Sequence, residues 1–581
     1  MDSYTKFNRV LFLLFTAGLI FSGSHVLQAQ FGNGYAFPYT VTNGDTVNFY
    51  ISSTKPTIYI QIYKLGLTEK FITQFNNIPG GEKAIPANSY EAGCSWPVSF
   101  SLPIPESWPS GVYAARFPLL NGEGQSTALF FVKEKNPGNF SKILIVVPEF
   151  TWQAYNNFGG KNVYDENSTD NKRAHKVSFL RPYFGGGYAE FRTYPYKLLK
   201  WLDKLGVKYE VATELDVHKN KGLLSNYKLV ISAGHVEYYS RQQRKNLEEY
   251  VAGGGKFMSL SGNTCWWQVR IENNDSTLIC YKDRTLDPLY GKADSLVTVN
   301  WFDQPLNYPE NILLGASFRN AGYVNDLNHS HFRWEQGFGD YAAFNSQNWV
   351  YSNTGLKDGV EFGRDPVDPD LAVVGYEVDG ALFKWNNGIP EVTGQDGTPA
   401  NFRILGISPA IGQGGILKDR NATMGLYYTK TGGAVFNAAT VYWVEGLAKD
   451  TIVQKITKNV IDKFLQNRFP PEITKWTPFT LQSDTVNGQP LKLNRREITV
   501  NSEDTVKFSV STLDPYGEAV KYQWYVDSVK VSTDSTYDYI SKGGGSYLVK
   551  VLSYNSKDTS SISWKLNVLG PVSDVAKNPA L

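Results

Sequence analysis

The fold is decided by the stretch Lys228-Leu229-Val230-Ile231-Ser232-Ala233-Gly234-His235-Val236-Glu237-Tyr238-Tyr239-Ser240. A short, continuous apolar run of this kind is typical of a strand that is buried on both faces of a parallel sheet. The run stops abruptly and places His235 and Glu237 just past its carboxyl end. Ligands of open α/β sheets bind outside the carboxyl ends of the strands, so this segment is the first candidate for a functional site.

The segments around this stretch alternate between strand and helix patterns. The predicted elements are a strand at 143–147, a helix at 197–205, a strand at 207–211, a helix capped by Ser240 and closed by Gly253, and a strand at 257–261. Such alternation predicts right-handed crossovers and a doubly wound α/β domain, which we assign to residues 140–470. The pattern after Cys265 is mixed and predicts no definite topology, except for a final helix at 451–465.

Segments with strand alternation lie on both sides of this central domain. Residues 31–135 alternate apolar and polar side chains between turn residues, which predicts an N-terminal β-sandwich. Residues 471–569 do the same and predict an immunoglobulin-like sandwich, followed by a flexible tail at 570–581. Through Tyr522 to Val526 this part resembles the PKD-like modules of secreted bacterial proteins, which space, pack or bind.

The amino terminus has the pattern of a secretory signal. Lys6 and Arg9 precede an apolar run at 10–21, and a polar tail leads to a cleavage site near Ala29. The apolar run is short for a membrane span, and no later run exceeds it. We therefore expect a signal peptide at 1–29, no transmembrane segment after its removal, and a secreted, periplasmic or cell-surface bacterial protein.

Charge and cysteine content exclude several classes of function. The chain has 57 basic and 55 acidic residues and a formal net charge of +2, with no basic block that would follow a phosphate backbone. We therefore expect no nucleic-acid partner. The three cysteines, Cys94, Cys265 and Cys280, are too few for a disulfide framework and lie in no motif that exposes a thiol nucleophile.

A second segment with unusual residues directly follows the first buried strand and runs from Trp152 to Lys161. If that strand and the strand at 229–232 are both central in the sheet, Tyr155 and Glu237 share one crevice. The residue types alone favour structural roles. Glu237 would then cap the helix after Ser240, and Tyr155 would be a core aromatic.

Several motifs together resemble the large (beta) subunit of N,N-dimethylformamidase. They occur in the expected order between residues 111 and 464, and it is their conjunction that is specific. The motifs are Trp152-Gln153-Ala154-Tyr155-Asn156 with Gly159-Gly160, Gly234-His235 with Glu237-Tyr238 and Ser240, Trp349-Val350 with Thr354-Gly355-Leu356, Asp358-Gly359 with Phe362-Gly363, Gly375-Tyr376-Glu377 with Asp379, and Val435-Phe436-Asn437-Ala438.

The resemblance implies a mononuclear iron, expected as Fe(III), in an enzyme that hydrolyses a small linear amide. Matched motif by motif, the metal ligands fall on Tyr113, Tyr155 and Glu237. The active-site histidine falls on His235 and a downstream acidic residue on Glu377, with Asp379 as its neighbour. The resemblance also implies a central domain of the flavodoxin or glutamine-amidotransferase type, and a separate small subunit or a homo-oligomer as assembly.

The chemistry of these residues agrees with that implication. Phenolate and carboxylate oxygens are hard ligands that suit ferric iron, and three protein ligands leave positions open for water and substrate. A metal with open positions polarises an amide carbonyl and activates water. We assign Glu377 as the base that moves the proton of this water and His235 as a positioning donor.

Three departures from the family pattern weaken dimethylformamide itself as the substrate. Tyr239 stands where the family usually has tryptophan, a sandwich follows the central domain, and the chain carries an export signal.

A second hypothesis is a non-catalytic cell-surface protein that binds polysaccharide or protein, with glycan contact through the C-terminal sandwich. A weaker metal candidate is the pair His329 and His331, which lacks a third ligand nearby.

Overall fold

The structure, a computed structural model, describes residues 33–120, 124–183, 188–323, 339–368, 372–410, 420–541 and 543–570. The predicted signal peptide, the predicted tail beyond Gly570, and the pair His329 and His331 lie outside these ranges. Within them, no helix has both the length and the apolar character needed to cross a membrane. The chain is multidomain and rich in β-sheet.

Two sheets at the amino-terminal end face each other around one apolar core. A three-stranded sheet has the order β1-β3-β6 and a five-stranded sheet the order β2-β8-β7-β4-β5. Their side chains alternate between core and surface, as the sequence pattern predicts. The strands are β1 (Gly34–Phe37), β2 (Thr40–Val41), β3 (Thr46–Ile51), β4 (Ser53–Leu65), β5 (Glu69–Gly81), β6 (Phe100–Pro103), β7 (Gly111–Pro118) and β8 (Gln125–Val132).

The central part is built on a nine-stranded mixed sheet of order β11-β9-β12-β14-β25-β24-β23-β18-β19. Neighbours from β11 to β25 run parallel, and those from β25 to β19 run antiparallel. The strands of the central part are β9 (Ile143–Val147), β10 (Lys176–Ser178), β11 (Glu210–Thr213), β12 (Leu229–His235), β13 (Tyr238–Ser240), β14 (Lys256–Gly262), β15 (Trp267–Glu272), β16 (Thr277–Ile279), β17 (Gly322–Tyr323), β18 (Tyr341–Ala343), β19 (Glu361–Phe362), β20 (Glu377–Gly380), β21 (Phe383–Asn386), β22 (Ile389–Val392), β23 (Arg403–Ala410), β24 (Arg420–Tyr428) and β25 (Ala434–Asn437).

The helices pack mainly on this sheet. Ser240 caps one of them through its side chain, which accepts a hydrogen bond from the Gln243 amide, as predicted. The helices are α1 (Ser89–Ala92), α2 (Glu149–Tyr155), α3 (Tyr188–Thr193), α4 (Pro195–Lys204), α5 (Glu214–Lys219), α6 (Arg241–Ala252), α7 (Asn311–Leu314), α8 (Phe318–Ala321), α9 (Trp443–Lys449) and α10 (Thr451–Gln466).

Strand β9 explains why the central strands read as continuous apolar runs. Ile143, Ile145 and Val147 point into one apolar core, whereas Leu144 and Val146 point into a second core on the opposite face of the sheet. Because both faces are covered, every residue of the strand must be apolar.

The predicted strand at 207–211 begins later, as β11, and the predicted helix at 197–205 is α4.

The carboxyl-terminal part contains a three-stranded sheet of order β26-β30-β33 and a five-stranded sheet of order β29-β35-β34-β31-β32. Both contribute to one core that includes Trp524 and Trp564. The strands are β26 (Glu472–Thr477), β27 (Thr480–Val486), β28 (Gln489–Arg495), β29 (Glu497–Asn501), β30 (Thr505–Leu513), β31 (Lys521–Val526), β32 (Val529–Ser532), β33 (Thr536–Ile540), β34 (Gly545–Tyr554) and β35 (Thr559–Leu569).

The hairpin of β27 and β28 belongs to a different core from the rest of the carboxyl-terminal part. Val486 and Leu493 are buried in the second core of the central sheet, and an added methyl at Gly359 would lie 2.5 Å from the Leu493 side chain. A boundary drawn at residue 471 by composition therefore separates this hairpin from the core into which it packs.

Candidate functional site

The candidate site is assembled where β9 and β12 end side by side. The two strands pair in parallel, so α2, which follows β9, lies next to the segment after His235. The Glu237 amide donates a hydrogen bond to the Thr151 hydroxyl of α2 at 3.0 Å. Tyr155, the last residue of α2, thereby faces the Glu237 side chain. The structure thus brings Tyr155 and Glu237 into contact.

The turn at the end of β12 requires glycine at position 234. Gly234 has φ +93°, and a Cβ atom there would lie 2.2 Å from Cβ of Tyr194. Both the positive φ and the close approach exclude a side chain. Glycine is therefore required at position 234 for steric reasons, independently of the chemistry of His235.

Four oxygen-bearing side chains, those of Tyr155, Tyr164, Glu237 and Tyr238, converge in a buried cluster. The Tyr155 hydroxyl donates to Glu237 Oε2 at 2.7 Å. The Tyr164 hydroxyl lies 2.7 Å from the Tyr155 hydroxyl and 3.0 Å from each Glu237 oxygen. The Tyr238 hydroxyl donates to that of Tyr164 at 2.6 Å, and the Trp267 indole donates to Glu237 Oε1 at 3.0 Å.

Tyr164 was not predicted from the sequence. It reaches the cluster because the chain reverses after α2 at Gly159 and Gly160, which have φ values of +83° and +90°. Asn162 then holds the returning segment, since its side chain donates to the Tyr155 carbonyl and accepts from the Tyr164 amide. The adjacent glycines were a signal of a sharp turn, but no periodicity relates Tyr164 to Tyr155.

His235 lies between two carboxylates. Its Nε2 is 3.1 Å from Glu377 Oε2 and 3.4 Å from Glu237 Oε2. Glu377 begins β20, and the backbone of β20 approaches β14 so closely that a Cβ at Gly262 would lie 2.5 Å from the Glu377 carbonyl. The predicted pair of His235 and Glu377 therefore forms one unit with Glu237.

Burial and charge together set the protonation of this unit. Burial alone would lower the pKa of His235, but the carboxylates of Glu377 and Glu237 raise it well above its usual value. Burial opposes ionisation of Glu237, yet its hydrogen bond and charge interaction with His235 leave its pKa lowered. Burial, reinforced by the Glu237 charge, raises the pKa of the Tyr155 and Tyr164 phenols. These shifts favour a protonated His235 beside an ionised Glu237 and two neutral phenols.

Two further ionisable residues near the site were missed by sequence reasoning. The Lys282 ammonium lies 3.2 Å from the ring centroid of Tyr164, and burial lowers its pKa to about 8. Burial also raises the pKa of Glu190 to about 7, against the opposing charge of His235. Neither residue lies in a recognisable motif, since Lys282 follows a short strand and Glu190 lies within α3.

The predicted ligand Tyr113 does not reach this cluster, and its assignment is corrected here. Its hydroxyl donates to the Pro109 carbonyl at 2.8 Å, and its ring stacks on Trp108 and Phe130 in the amino-terminal core. Because side chains alternate along a strand, it is Val112 and Ala114 of β7 that face the central part. The hydroxyl that lies beside Tyr155 and Glu237 belongs to Tyr164.

The donor set fits a small, hard cation. The oxygens of Tyr155, Tyr164 and Glu237 lie 2.7 to 3.0 Å from one another. In an octahedral shell with ligands about 2.0–2.1 Å from the ion, neighbouring ligand oxygens are about 2.8–3.0 Å apart. Phenol and carboxylate oxygens are the ligand types that hard cations prefer. Among the described residues, no group of three or more His, Cys, Asp or Glu side chains could hold a metal ion, so a metal here would depend on the tyrosines.

The geometry defines the class of site: a buried histidine–carboxylate pair beside a cluster of oxygen donors, an arrangement that can hold and transfer protons. The chain belongs to the N,N-dimethylformamidase beta subunit-like family, whose C-terminal model matches residues 60–458.

Two curated relatives agree with this assignment. The N,N-dimethylformamidase beta subunit of Paracoccus aminophilus is 23% identical over 444 residues, which are 65% of this chain and 55% of that protein. The subunit of the same name from Alcaligenes sp is 23% identical over 445 residues, 65% of this chain and 56% of that one. The chain thus spans about half the length of these curated relatives. Among solved structures, fibronectin(III)-like modules of Clostridium thermocellum CbhA cover 16% of this chain and 96% of their own at 14% identity, but a TM-score of 0.12 defines no shared fold.

Proposed function

We propose that this protein is an iron-dependent hydrolase of carbon–nitrogen bonds in small linear amides, of the dimethylformamidase type. The observation that carries the proposal is the convergence of Tyr155, Tyr164 and Glu237 within 3.0 Å of one another, beside His235 and Glu377. The parallel strands β9, β12 and β14 would act as a doubly wound platform that presents these residues at their carboxyl ends.

In this proposal Tyr155, Tyr164 and Glu237 hold a mononuclear ferric ion. The chemistry that the ion supplies when bound is polarisation of an amide carbonyl and activation of water. Because burial and the Glu237 charge keep both phenols protonated without a metal, loading must release their protons. Iron uptake should therefore become more favourable as pH rises.

The proton transfers are assigned to His235 and Glu377. The His235 imidazolium holds the Glu377 carboxylate through the 3.1 Å contact between Nε2 and Oε2. Glu377 accepts the proton of the attacking water and returns it to the leaving amine, which must be protonated before it departs. His235 is thus a positioning residue, and Glu377 is the residue that exchanges protons with the reacting atoms.

Three wider proposals accompany this function. The amino-terminal pattern supports export, although residues 1–29 lie outside the described part of the chain. The relatives are named as subunits, which supports assembly with a second subunit or a homo-oligomer. The departures from the family pattern support a small amide other than dimethylformamide as substrate.

The test is elemental analysis of purified protein, followed by a panel of formamides and other short amides. We expect about one iron per chain, a visible phenolate-to-iron charge-transfer band, and release of an amine from at least one amide. Glu377→Gln should keep the iron and the band and lower kcat by about 10²–10⁴-fold. A colourless protein without metal that hydrolyses no amide would instead favour the cell-surface binding hypothesis.

A further inference from the structure

Lys282, which follows β16, lies beside the oxygen cluster and has no part in the proposed proton transfers. Its ammonium nitrogen is 3.2 Å from the ring centroid of Tyr164, 4.6 Å from that of Trp267 and 5.4 Å from that of Tyr238. A cation is attracted to the face of an aromatic ring when it lies within about 6 Å of the centroid. One positive charge therefore interacts with three rings of the site.

The polar groups of the same three rings are the ones that hold Glu237. The Trp267 indole donates to Glu237 Oε1 at 3.0 Å, and the Tyr164 hydroxyl lies 3.0 Å from each Glu237 oxygen. The Tyr238 hydroxyl donates to that of Tyr164 at 2.6 Å. A charge that fixes these rings thus also fixes the groups that donate, directly or through one hydroxyl, to the carboxylate.

The aromatic rings are the nearest partners of this ammonium group. Among the described residues, the Lys282 ammonium makes no hydrogen bond, and no carboxylate oxygen lies within 4.0 Å of it. The charge of Glu237 attracts it from a longer distance. The contact with Tyr164 is the shortest of its contacts, and the opposing Tyr155 ring stacks on Tyr164 with 4.6 Å between centroids. Tyr164 is therefore held both by a ring and by a charge.

The backbone at Lys282 indicates that this side chain is placed specifically. Lys282 has φ +58°, a left-handed conformation that lysine rarely adopts. Its amide donates to the Thr298 carbonyl at 2.9 Å, and the Tyr281 amide donates to the Thr298 hydroxyl at 2.8 Å. An unfavourable backbone conformation that neighbouring groups maintain is typical of functional sites.

We propose that Lys282 is a positioning residue of the candidate site, which orients Tyr164 and strengthens the hydrogen bond from its hydroxyl to Glu237. A positive charge over a phenol ring polarises the ring, so the hydroxyl becomes a stronger donor. The effect on this hydrogen bond requires no metal. The effect on iron binding rests on the proposed function, because Tyr164 is there an iron ligand.

The first test uses the full-length protein without metal, in a double-mutant cycle followed by urea unfolding. Lys282→Met removes the charge at similar length, and Tyr164→Phe keeps the ring under the ammonium but removes the hydroxyl. We expect Lys282→Met to lower the folding equilibrium constant at least about threefold more in the parent than in the Tyr164→Phe background. Equal losses in both backgrounds would show that the charge does not act through the hydroxyl, and would overturn the proposal.

The second test uses the iron-loaded protein. Lys282→Met should weaken iron binding at least about tenfold. It should also move the charge-transfer band to longer wavelength, because the electron leaves a phenolate that the ammonium no longer stabilises. Lys282→Arg keeps a cation that stacks on aromatic rings, and it should retain iron affinity within about threefold and the position of the band.

Lys200→Met is the matched control. The Lys200 ammonium also lies over an aromatic ring, that of Tyr196 at 4.3 Å, but neither residue contacts the oxygen cluster. Iron affinity and the band should therefore be the same in this variant as in the parent.

The outcomes separate this proposal from the proposed function. If Lys282→Met does not fold, Lys282→Gln replaces it as the neutral variant. An unchanged iron affinity and band in the neutral variant, or an equal loss in Lys282→Arg, would overturn the role of Lys282. A parent protein that binds no iron would contradict the proposed function alone, because the cycle without metal still decides whether Lys282 acts through Tyr164.

Discussion

At the residue scale, Tyr113 and Tyr164 show the limit of a prediction from motifs. The motif indicated Tyr113, whereas the structure places Tyr164 in the cluster. Matching by family motif selected Tyr113, which lies on a strand with a fixed alternation of faces. Its hydroxyl satisfies the Pro109 carbonyl within the amino-terminal core. Tyr164 lies in an irregular loop, and only the folded turn at Gly159 and Gly160 brings it within 2.7 Å of Tyr155.

This correction yields a direct prediction with a matched control. Tyr164→Phe should lower the affinity for the proposed iron by at least about tenfold and weaken the charge-transfer band, because one of the two proposed phenolate ligands is lost. Tyr113→Phe removes a hydroxyl of the same kind and should leave iron content and colour unchanged. Absorbance and metal analysis of both variants provide the measurement. If Tyr113→Phe weakens the band and Tyr164→Phe does not, the assignment made here is wrong.

Other residues of the candidate site could be predicted because each of them directly follows a strand that is recognisable in the sequence. His235 and Glu237 directly follow a buried strand, and Tyr155 follows the neighbouring strand, so their proximity depends only on parallel pairing. Lys282 and Glu190 were not predicted. Each reaches the site through a long-range approach that no local period encodes.

At the element scale, the end of β12 depends on one glycine. Gly234→Ala should cost about 2–5 kcal/mol, because it adds a positive-φ penalty of about 1–2 kcal/mol to an overlap with Tyr194. Gly206→Ala is the control. Gly206 has φ +68° but nothing within 4 Å, so only the penalty for its backbone conformation applies. Denaturant unfolding measures both variants, and equal losses would contradict the steric argument.

The short helix α7 supplies a prediction about pH. Glu310, directly before it, is fully buried, and burial raises its pKa to about 8 from an ordinary value near 4.5. Between these values the native state keeps a proton that the unfolded state has lost, so this residue makes stability fall as pH rises. The slope approaches one proton, about 1.4 kcal/mol per pH unit.

Glu310→Gln removes this titration and provides the measurement. The difference in unfolding free energy between the variant and the parent should grow in favour of the variant from pH 5 to pH 8. It should be constant below pH 4, where the carboxyl is protonated in both states. A difference that does not change with pH would show that Glu310 is ionised in the native protein.

At the scale of the whole molecule, the central strands β9, β11, β12 and β14 and the helices α4 and α6 follow from apolar runs and caps. The antiparallel extension from β24 to β19 does not, because β18, β19 and β23 lie far apart along the chain and join the sheet through long-range pairing. The hairpin of β27 and β28 was placed with the carboxyl-terminal part for the same reason. Its alternation predicts a strand pair but does not encode the partner core.

The hairpin can be tested as a component of the central core. Leu493→Ala should cost about 2–5 kcal/mol, since a fully buried leucine is removed from the core on which β27 and β28 pack. Leu548→Ala, at a position 52% exposed, should change stability by less than about 0.5 kcal/mol. Thermal unfolding followed by tryptophan fluorescence measures both. Equal effects would place the hairpin outside the central core.

The distance along the chain between the partners at the site has a consequence for refolding. Tyr155 and Glu237 are 82 residues apart, and they meet only after β9 and β12 have paired. Helices such as α10 form from neighbouring residues and need no such long-range closure. In a stopped-flow experiment with iron present, ellipticity should therefore recover first and colour should return last, which would make the proposed metal centre an optical marker of the final, long-range step of assembly.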